Sequence, residues 1–345
     1  MPLERSQFTH DGLITHVRTH YGLSITSIRP LPLGSANCFR LSDETRSYFL
    51  KEFQSGITRN AIADEAALLE TLIARDIPVV PIIPTLDGSY VTEQNGHAVC
   101  LQEFVTGTAY GYDDFPTHLL PTLAHTLGHL HTAMRDIDLP SHRYTNWALS
   151  YRAADSAAQY DQLLEAAEEI PGDPEYPRIV EELRYKRELS WRCEKYLQYY
   201  EDITYCPTHG DFQGCQTIWN GNSLRAIIDF SDAKTLPAVW EIMRSYVQSS
   251  AKCRATAAID AAGLRDYVRE YMRYAPLTAR DLHSMPYVYL LQLAKSKFGY
   301  PQYLRDNSPD RVGLLHFAHW RTAMCREVES RAEELAEMLG ELAKE

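Results

Sequence analysis

The sequence predicts an α+β protein of two lobes, a small antiparallel-sheet lobe followed by a larger, mostly helical lobe. Three features indicate this. Short β-type segments separated by tight turns occupy most of residues 25–106. From Thr117 onward, apolar residues recur at the helical spacings of three and four. The length of 345 residues exceeds that of one ordinary domain, so we expect more than one core.

Composition and charge narrow the function classes. With 45% hydrophobic and 23% charged residues, the composition is typical of a globular protein. The formal charge of -12 disfavours DNA or RNA as a binding partner and favours a cationic small molecule. The N-terminal residues are polar and no apolar run is as long as a membrane span, so we expect a cytoplasmic protein without a membrane partner. Seven cysteines without a C-x-x-C pair predict reduced core residues. The oligomeric state is left open.

A lysine stands out in the N-terminal lobe. This lobe is predicted to begin with a helix and three strands, within residues 8–20, 25–33, 38–41 and 48–53. Lys51 lies in the third strand, on the face that Phe49 and Phe53 share. A lysine on an apolar face needs an anion, although an edge-strand lysine that reaches water is the alternative.

The helix predicted next offers the anion. Residues 61–72 are rich in Ala and Leu, and Glu65 points with their apolar stripe whereas Glu70 does not. We therefore expect Glu65 to pair with Lys51. A second meander over residues 86–101 then leads to a hinge at about 102–107, which divides the chain into lobes 1–106 and 107–345.

The C-terminal lobe is predicted to be helical over residues 117–134, in two helices within 150–200, and from Val239 onward. His129 and His131 do not share a helix face, so we interpret them as buried structural residues rather than a metal pair. The last helix carries a stripe that we interpret as a core face, and it includes Phe317 and Trp320.

The segment 208–219 is unusually polar and contains His209, Asp211 and Gln216. A hairpin closing on Asn220-Gly221 would bring Asp229 beside Asp211 and Gln216. Two carboxylates and an amide oxygen suit a hard divalent ion. The alternative is that His209 and Asp211 only brace a turn.

A strand lysine, a helix glutamate, a hinge, His209-Gly210-Asp211 and then Ile228-Asp229-Phe230 together resemble the aminoglycoside phosphotransferase family. That family has the two-lobed protein-kinase-like fold and is related to homoserine- and choline-kinase-type enzymes and to spore-coat kinase-like proteins. The resemblance covers about residues 25–245, and the two motifs carry most of it.

The resemblance implies an alcohol-group phosphotransferase that uses ATP or GTP with Mg²⁺. The resemblance implies that Lys51 and Glu65 hold the nucleotide phosphates, that Gly34 and Ser35 cover them, and that backbone groups of Gln102 and Phe104 contact the adenine. It implies that Asp229 and Gln216 bind the metal. It also implies that Asp211 accepts the proton of the acceptor hydroxyl and that His209 braces the loop. The chain has no G-x-x-x-x-G-K-[ST] motif, which excludes a P-loop enzyme.

Gln216 departs from the family pattern, which has asparagine five residues after the catalytic aspartate. The amide oxygen is kept but lies one methylene further out. Weaker binding of a second metal, a changed nucleotide preference and a non-catalytic descendant all remain open.

The resemblance implies a hydroxylated small molecule as phosphate acceptor. A cationic acceptor such as an aminoglycoside or amino sugar, and hence a role in antibiotic resistance, would be favoured by acids facing the cleft, for which the candidates are Asp113, Asp114, Asp232 and Glu241. The alternatives are a kinase of another metabolite, of homoserine or choline type, and a kinase-fold binding or spore-coat protein with reduced or no activity. A metal hydrolase built on His209 and Asp211 lacks another suitably spaced histidine.

Overall fold

The computed structural model describes residues 3–31, 36–139, 150–305 and 310–345. The chain forms two compact units. The smaller unit runs as far as Ala109 and also takes in Gln216–Ser231, whereas the larger unit comprises Tyr110–Cys215 and Asp232–Glu345. The grouping of 216–231 with the smaller unit is not anticipated by a single boundary near residue 106.

The smaller unit holds most of the strands. Its elements are α1 (His10–Tyr21), β1 (Ser27–Leu31), β2 (Asn37–Ser42), β3 (Ser47–Glu52), α2 (Arg59–Ile73), β4 (Thr92–Gln94), β5 (His97–Glu103), β6 (Thr108–Ala109), β8 (Thr217–Asn220) and β9 (Ser223–Ile227). The main sheet is antiparallel with strand order β1-β2-β3-β5-β4. The small antiparallel-sheet unit predicted from the sequence is confirmed.

Burial in β3 alternates because successive side chains point to opposite faces of a sheet. Tyr48 and Leu50 pack in a core with Leu13 and Val17 of α1, whereas Lys51 is half-buried on the other face. Pairing with Cys38 on β2 and Cys100 on β5 makes β3 an interior strand. Lys51 is therefore not an edge-strand lysine.

The predicted second meander is reduced to the β4–β5 hairpin. Residues 86–91 are not a strand, because side chains close them into a loop. The Thr85 hydroxyl donates to the Ser89 carbonyl oxygen at 2.8 Å, and the Ser89 hydroxyl donates to the Val91 carbonyl oxygen at 2.9 Å. Such local side-chain bonds compete with strand pairing.

The β8–β9 hairpin closes one residue later than predicted, since Asn220 pairs with Ser223 around Gly221 and Asn222. Gly221 has φ 58°, the left-handed conformation that glycine adopts without strain. Strand β6 pairs with β8, and the N–H of Ile227 donates to the Pro78 carbonyl oxygen at 2.7 Å. These backbone bonds explain why the hairpin belongs to the smaller unit.

The larger unit is mostly helical, as predicted. Its elements are α3 (Leu120–Met134), α4 (Ala153–Ala167), α5 (Tyr176–Cys193), β7 (Tyr205–Thr208), β10 (Lys234–Pro237), α6 (Ala238–Ser249), α7 (Ala251–Thr256), α8 (Ala261–Met272), α9 (Ala279–Lys295), α10 (Tyr300–Leu304) and α11 (Arg311–Gly340). The two strands pair with each other. Tyr160, Leu183, Tyr300 and Leu315 join α4, α5, α10 and α11 in one apolar cluster.

No disulfide joins any of the seven cysteines, and six of them are buried, in agreement with the predicted reduced core residues. Among the described residues, no helix combines the length and apolar character needed to cross a bilayer.

Candidate active site

In the smaller unit, Lys51 forms an ion pair with Asp229. Strand β3 supplies the lysine, and Asp229 follows the end of β9 by two residues. The distance from Lys51 Nζ to Asp229 Oδ1 is 2.9 Å, and the Ser231 hydroxyl donates to the same oxygen at 2.9 Å. Asp229 has φ 64°, an uncommon backbone conformation for a non-glycine residue, of the kind that clusters at functional sites.

Glu65 lies on the buried face of α2 and is 7% exposed. Burial alone would lower the pKa of Lys51, but the carboxylates of Asp229 and Glu65 outweigh it, so that the pKa is raised above its ordinary value. The alternative acid, Glu70, instead accepts a hydrogen bond from the Tyr90 hydroxyl. The positive charge of Lys51 is therefore stabilised by two carboxylates.

Gln216 is tied to the chain next to Asp229. It ends a 3-10 turn, Gly214–Gln216, and its carbonyl oxygen accepts the N–H of Ile228 at 3.0 Å. The carboxylate of Asp229 and the side-chain amide of Gln216 both offer hard oxygen ligands. No group of three His, Cys, Asp or Glu side chains in the described chain is arranged to hold a metal. Two such donors fit Mg²⁺, which usually binds one or two protein ligands together with substrate phosphates.

The residues predicted to surround the nucleotide are only partly described. Gly34 and Ser35 lie outside the described residues. Gln102 pairs with Phe49 across β5 and β3, and its side-chain amide donates to the Val80 carbonyl oxygen at 2.9 Å. The N–H of Phe104 donates to the Ser47 carbonyl oxygen at 3.0 Å, so that donor is already used. Contact of these two residues with adenine stays a prediction.

In the larger unit, a tight turn follows β7 and carries His209, Gly210 and Asp211. Gly210 has φ 84°, and a Cβ atom there would lie 2.0 Å from the Asp232 carbonyl oxygen. Any other residue would be excluded both by backbone strain and by this clash. The imidazole of His209 is buried, and its Nδ1 accepts the N–H of Asp211 at 3.2 Å. Its bracing role is thus consistent with its contacts.

Glu241 holds this turn from α6. Its carboxylate, fully buried, accepts the backbone N–H groups of His209 at 3.0 Å, Gly210 at 2.6 Å and Phe212 at 3.3 Å. A second fully buried residue, His131, lies 2.8 Å from the carboxylate through Nε2. Burial would raise the pKa of Glu241, but the hydrogen bond and charge of His131, with the backbone donors, lower it.

His131 confirms the prediction of a buried structural histidine, whereas His129 is exposed and the same prediction is wrong for it. The two positions point to different sides of α3, and only one side packs against α6 and α8. Burial opposes charge on His131, but Tyr271, Cys206 and Glu241 outweigh it and raise the pKa of His131 well above its ordinary value.

Asp211 forms an ion pair with Arg244. Gln213 Nε2 also donates to both Asp211 carboxylate oxygens, at 3.2 and 3.3 Å. Burial would lower the pKa of Arg244, but Asp211 raises it, and the guanidinium stays charged. Sequence reasoning missed Arg244, although its position three residues after Glu241 on one face of α6 is a usable signal.

The larger unit also contains a cleft of about 820 Å³ lined by Tyr112, Phe298, Phe317, Trp320 and other residues from its loops and α11. Phe317 and Trp320 are therefore cleft-lining rather than simply core residues. Of the acids proposed to attract an amino sugar, Glu241 is in the core, Asp232 lies 3.4 Å from Lys234, and Asp113 and Asp114 line the cleft.

Solved structures similar to this chain share its fold. They include a spectinomycin phosphotransferase, APH(9)-Ia, in complex with ADP and spectinomycin, at 14% identity and a TM-score of 0.68, covering 96% of this chain and 100% of that one. A microcompartment-associated aminopropanol kinase is 16% identical with a TM-score of 0.65, covering 94% and 98%. An amicoumacin kinase in complex with AMP-PNP, Ca²⁺ and Ami is 16% identical with a TM-score of 0.61, covering 94% of each chain.

These neighbours confirm the predicted two-lobed kinase-like fold, and at such identities they show the fold alone. No curated protein is similar enough in sequence to match the chain. The family model described as the phosphotransferase enzyme family, APH, matches residues 27–277, which is more than half of the chain. The protein belongs to this phosphotransferase family, as the lysine, glutamate and aspartate pattern of its sequence indicated.

Proposed function

We propose that this protein is a small-molecule kinase that transfers the γ-phosphoryl group of ATP or GTP to a hydroxyl group of its acceptor. The observation that carries the proposal is the Lys51–Asp229 ion pair of 2.9 Å, with Glu65 acting on the same lysine. A nucleotide phosphate and a metal ion would each take over one member of this pair. Family membership supports phosphoryl transfer as the reaction class.

The nucleotide half of the reaction is assigned to the smaller unit. Lys51 would bind phosphate oxygens, with Glu65 keeping it charged and in position. Asp229 and Gln216 would hold Mg²⁺, which neutralises charge on the phosphates when bound. Asp229 suits this role because its side chain is 39% exposed and therefore accessible to a ligand.

The acceptor half is assigned to Asp211. The acceptor oxygen attacks the γ-phosphorus, the new O–P bond forms as the bond to the bridging oxygen of the nucleoside diphosphate breaks, and Asp211 takes the hydroxyl proton. Arg244 and Gln213 orient the carboxylate, while Glu241 and His209 hold its loop. The products are a phosphate monoester and a nucleoside diphosphate.

The test is a panel of hydroxylated small molecules assayed for nucleoside diphosphate release with ATP and GTP in parallel, in the presence and absence of Mg²⁺. Aminoglycosides, amino sugars, choline, homoserine and hydroxy acids form the panel. We expect acceptor-dependent and Mg²⁺-dependent release that Asp211→Asn abolishes. Tight Mg-nucleotide binding without turnover of any acceptor would favour the alternative, a kinase-fold binding protein.

A further inference from the structure

Three arginines of the larger unit form a group that the proposed chemistry does not fully use. We name Arg244 of α6, Arg254 of α7 and Arg321 of α11 the arginine cluster. Each has a buried guanidinium nitrogen without a hydrogen-bond partner among the described residues: Nη1 of Arg244, Nη1 of Arg254 and Nε of Arg321. Buried donors are normally satisfied, so three unsatisfied donors of one charge point to a missing ligand.

Arg254 is the member of the cluster that lines the cleft. Its side chain is 9% exposed, and Nε lies 2.8 Å from Asp113 Oδ1. The guanidinium lies over three aromatic rings, 4.2 Å from the centroid of Trp320, 5.3 Å from that of Phe317 and 5.6 Å from that of Tyr112. Packing and one ion pair hold the guanidinium in place, and its buried Nη1 has no acceptor among the described residues.

Arg321 is 8% exposed and has no carboxylate within 4.0 Å among the described residues. Nη2 reaches Gln292 Oε1 at 3.4 Å, and the guanidinium lies 5.6 Å from the Phe317 ring, which Arg254 also contacts. Burial lowers the pKa of Arg321; Tyr289 opposes this shift and Arg244 adds to it. A buried cation repelled by a second cation is a site that an anion would stabilise.

Arg244 connects the cluster to the proposed base. Its Nη2 forms the ion pair with Asp211, while its Nη1 is the donor without a hydrogen-bond partner. Tyr112, which contacts Arg254 and lines the cleft, interacts electrostatically with both Asp211 and Arg244. A ligand bound by the cluster would therefore lie near the carboxylate that takes the acceptor proton.

Both acidic and basic side chains lie around the cleft, and the difference in their burial indicates which charge a ligand would compensate. Asp113, Asp114 and Asp310 line it, but all three are exposed, so water and salt screen them. The arginines are largely desolvated, and their unmet hydrogen bonds cost more free energy. Since Asp113 and Asp211 each pair with one arginine, Arg321 is left as the uncompensated charge.

We infer that the arginine cluster binds a carboxylate or phosphate group of the acceptor, and that the acceptor is a hydroxylated anion with an apolar or planar part facing the aromatic rings. Guanidinium groups favour these oxyanions because their donors match the oxygen spacing. This is the opposite charge to the amino sugar expected from the sequence, which stays an untested prediction. The role of this anion as phosphate acceptor rests on the proposed kinase function, whereas the binding of an anion by the arginine cluster does not.

The experiment is ligand-observed NMR on the full chain without nucleotide, using benzoate, phenyl phosphate, benzamide and benzylamine as matched aromatic probes. We expect benzoate or phenyl phosphate to bind at least about tenfold more tightly than the neutral and cationic probes, since one well-placed charged hydrogen bond is worth ~1.4 kcal/mol or more. The tighter of the two identifies a carboxylate or a phosphate group. Arg254→Gln and Arg321→Gln should each weaken that binding about tenfold.

Arg269→Gln is the matched control, because Arg269 is an exposed arginine of α8 paired with Asp266 and Glu345, and it should leave binding unchanged. If Arg321→Gln melts early, Arg254→Gln at the cleft still decides the question. Equal or tighter binding of benzylamine, no binding of any probe, or unchanged anion binding in Arg254→Gln would overturn the inference. Because no nucleotide is present, these results are independent of whether the protein turns nucleotide over.

Discussion

The two units each hold, in an ion pair, a carboxylate to which we assign a function, but the cations differ. Asp229 of the smaller unit pairs with Lys51, and its side chain is 39% exposed. Asp211 of the larger unit pairs with Arg244 and is 22% exposed, with Gln213 bonded to both of its oxygens. Lysine is a flexible point charge that can exchange one anion for another, whereas the planar guanidinium fixes an orientation.

This difference suits the roles proposed for the two carboxylates. A metal-binding aspartate must release its resting partner when Mg-nucleotide arrives. A base must keep one orientation towards the acceptor hydroxyl, because proton transfer depends on geometry before anything else. Substitution of the two carboxylates, Arg244 and Gln216 tests this comparison, and the largest effect is expected at Asp211.

Asp211→Asn should lower turnover roughly 1,000-fold, within the range of 10²–10⁴ that general base catalysis contributes. The amide keeps the size of the side chain but accepts no proton, so nucleotide affinity should stay within about twofold of wild type. Steady-state kinetics and calorimetry measure the two quantities. Asp266→Asn, an exposed acid on α8 of the same unit, is the control, and near-wild-type turnover of Asp211→Asn would remove the base assignment.

Asp229→Asn should weaken Mg-nucleotide binding by roughly 30- to 100-fold, or about 2–3 kcal/mol, because a charged metal ligand and the partner of Lys51 are lost together. Calorimetry with and without Mg²⁺ separates the two causes, and the loss should be larger with Mg²⁺. Glu93→Gln on β4, an exposed acid of the same unit, should have no effect. An unchanged affinity in Asp229→Asn would contradict the metal role.

Arg244→Lys should lower turnover about tenfold while the KM for nucleotide is unchanged, since the charge is kept but the fork that orients Asp211 is lost. Arg244→Met should lower turnover further than Arg244→Lys, because the charge and the planar donor group are lost together. A purely structural arginine would lower the melting temperature of both variants while turnover well below that temperature stayed near wild type.

Gln216→Asn should change turnover by less than about threefold, because both side chains offer an amide oxygen as a metal ligand. This is the smallest effect, and it concerns only the smaller unit. A variant that melts like wild type but is inactive would show instead that the site depends on the extra methylene of glutamine. Thermal melting and Mg²⁺ titration of turnover decide between the two.

Much of the site could be predicted because its residues lie in local patterns. The polar segment with His209 and Asp211, the apolar strand before Asp229 and the amphipathic helix that turns Glu65 inward are each visible within a dozen residues. The loop over residues 86–91 was mistaken for a strand because its closure depends on hydrogen bonds of Thr85 and Ser89, which side-chain periodicity does not report.

The α+β class, the phosphotransferase family and the acids and lysine that we assign to phosphoryl transfer could all be inferred from the amino-acid sequence, because residue chemistry and hydrophobic periodicity are local properties. The three-dimensional structure was needed to show that Glu241 accepts hydrogen bonds from the turn at Gly210, that Arg244 pairs with Asp211, and that Arg254 and Arg321 lie against one aromatic ring. These contacts join α6 to the turn after β7, and α7 to α11, and both pairs of segments are separated by tens of residues along the chain. Their partners are selected by packing and desolvation, and neither leaves a signature in residue spacing.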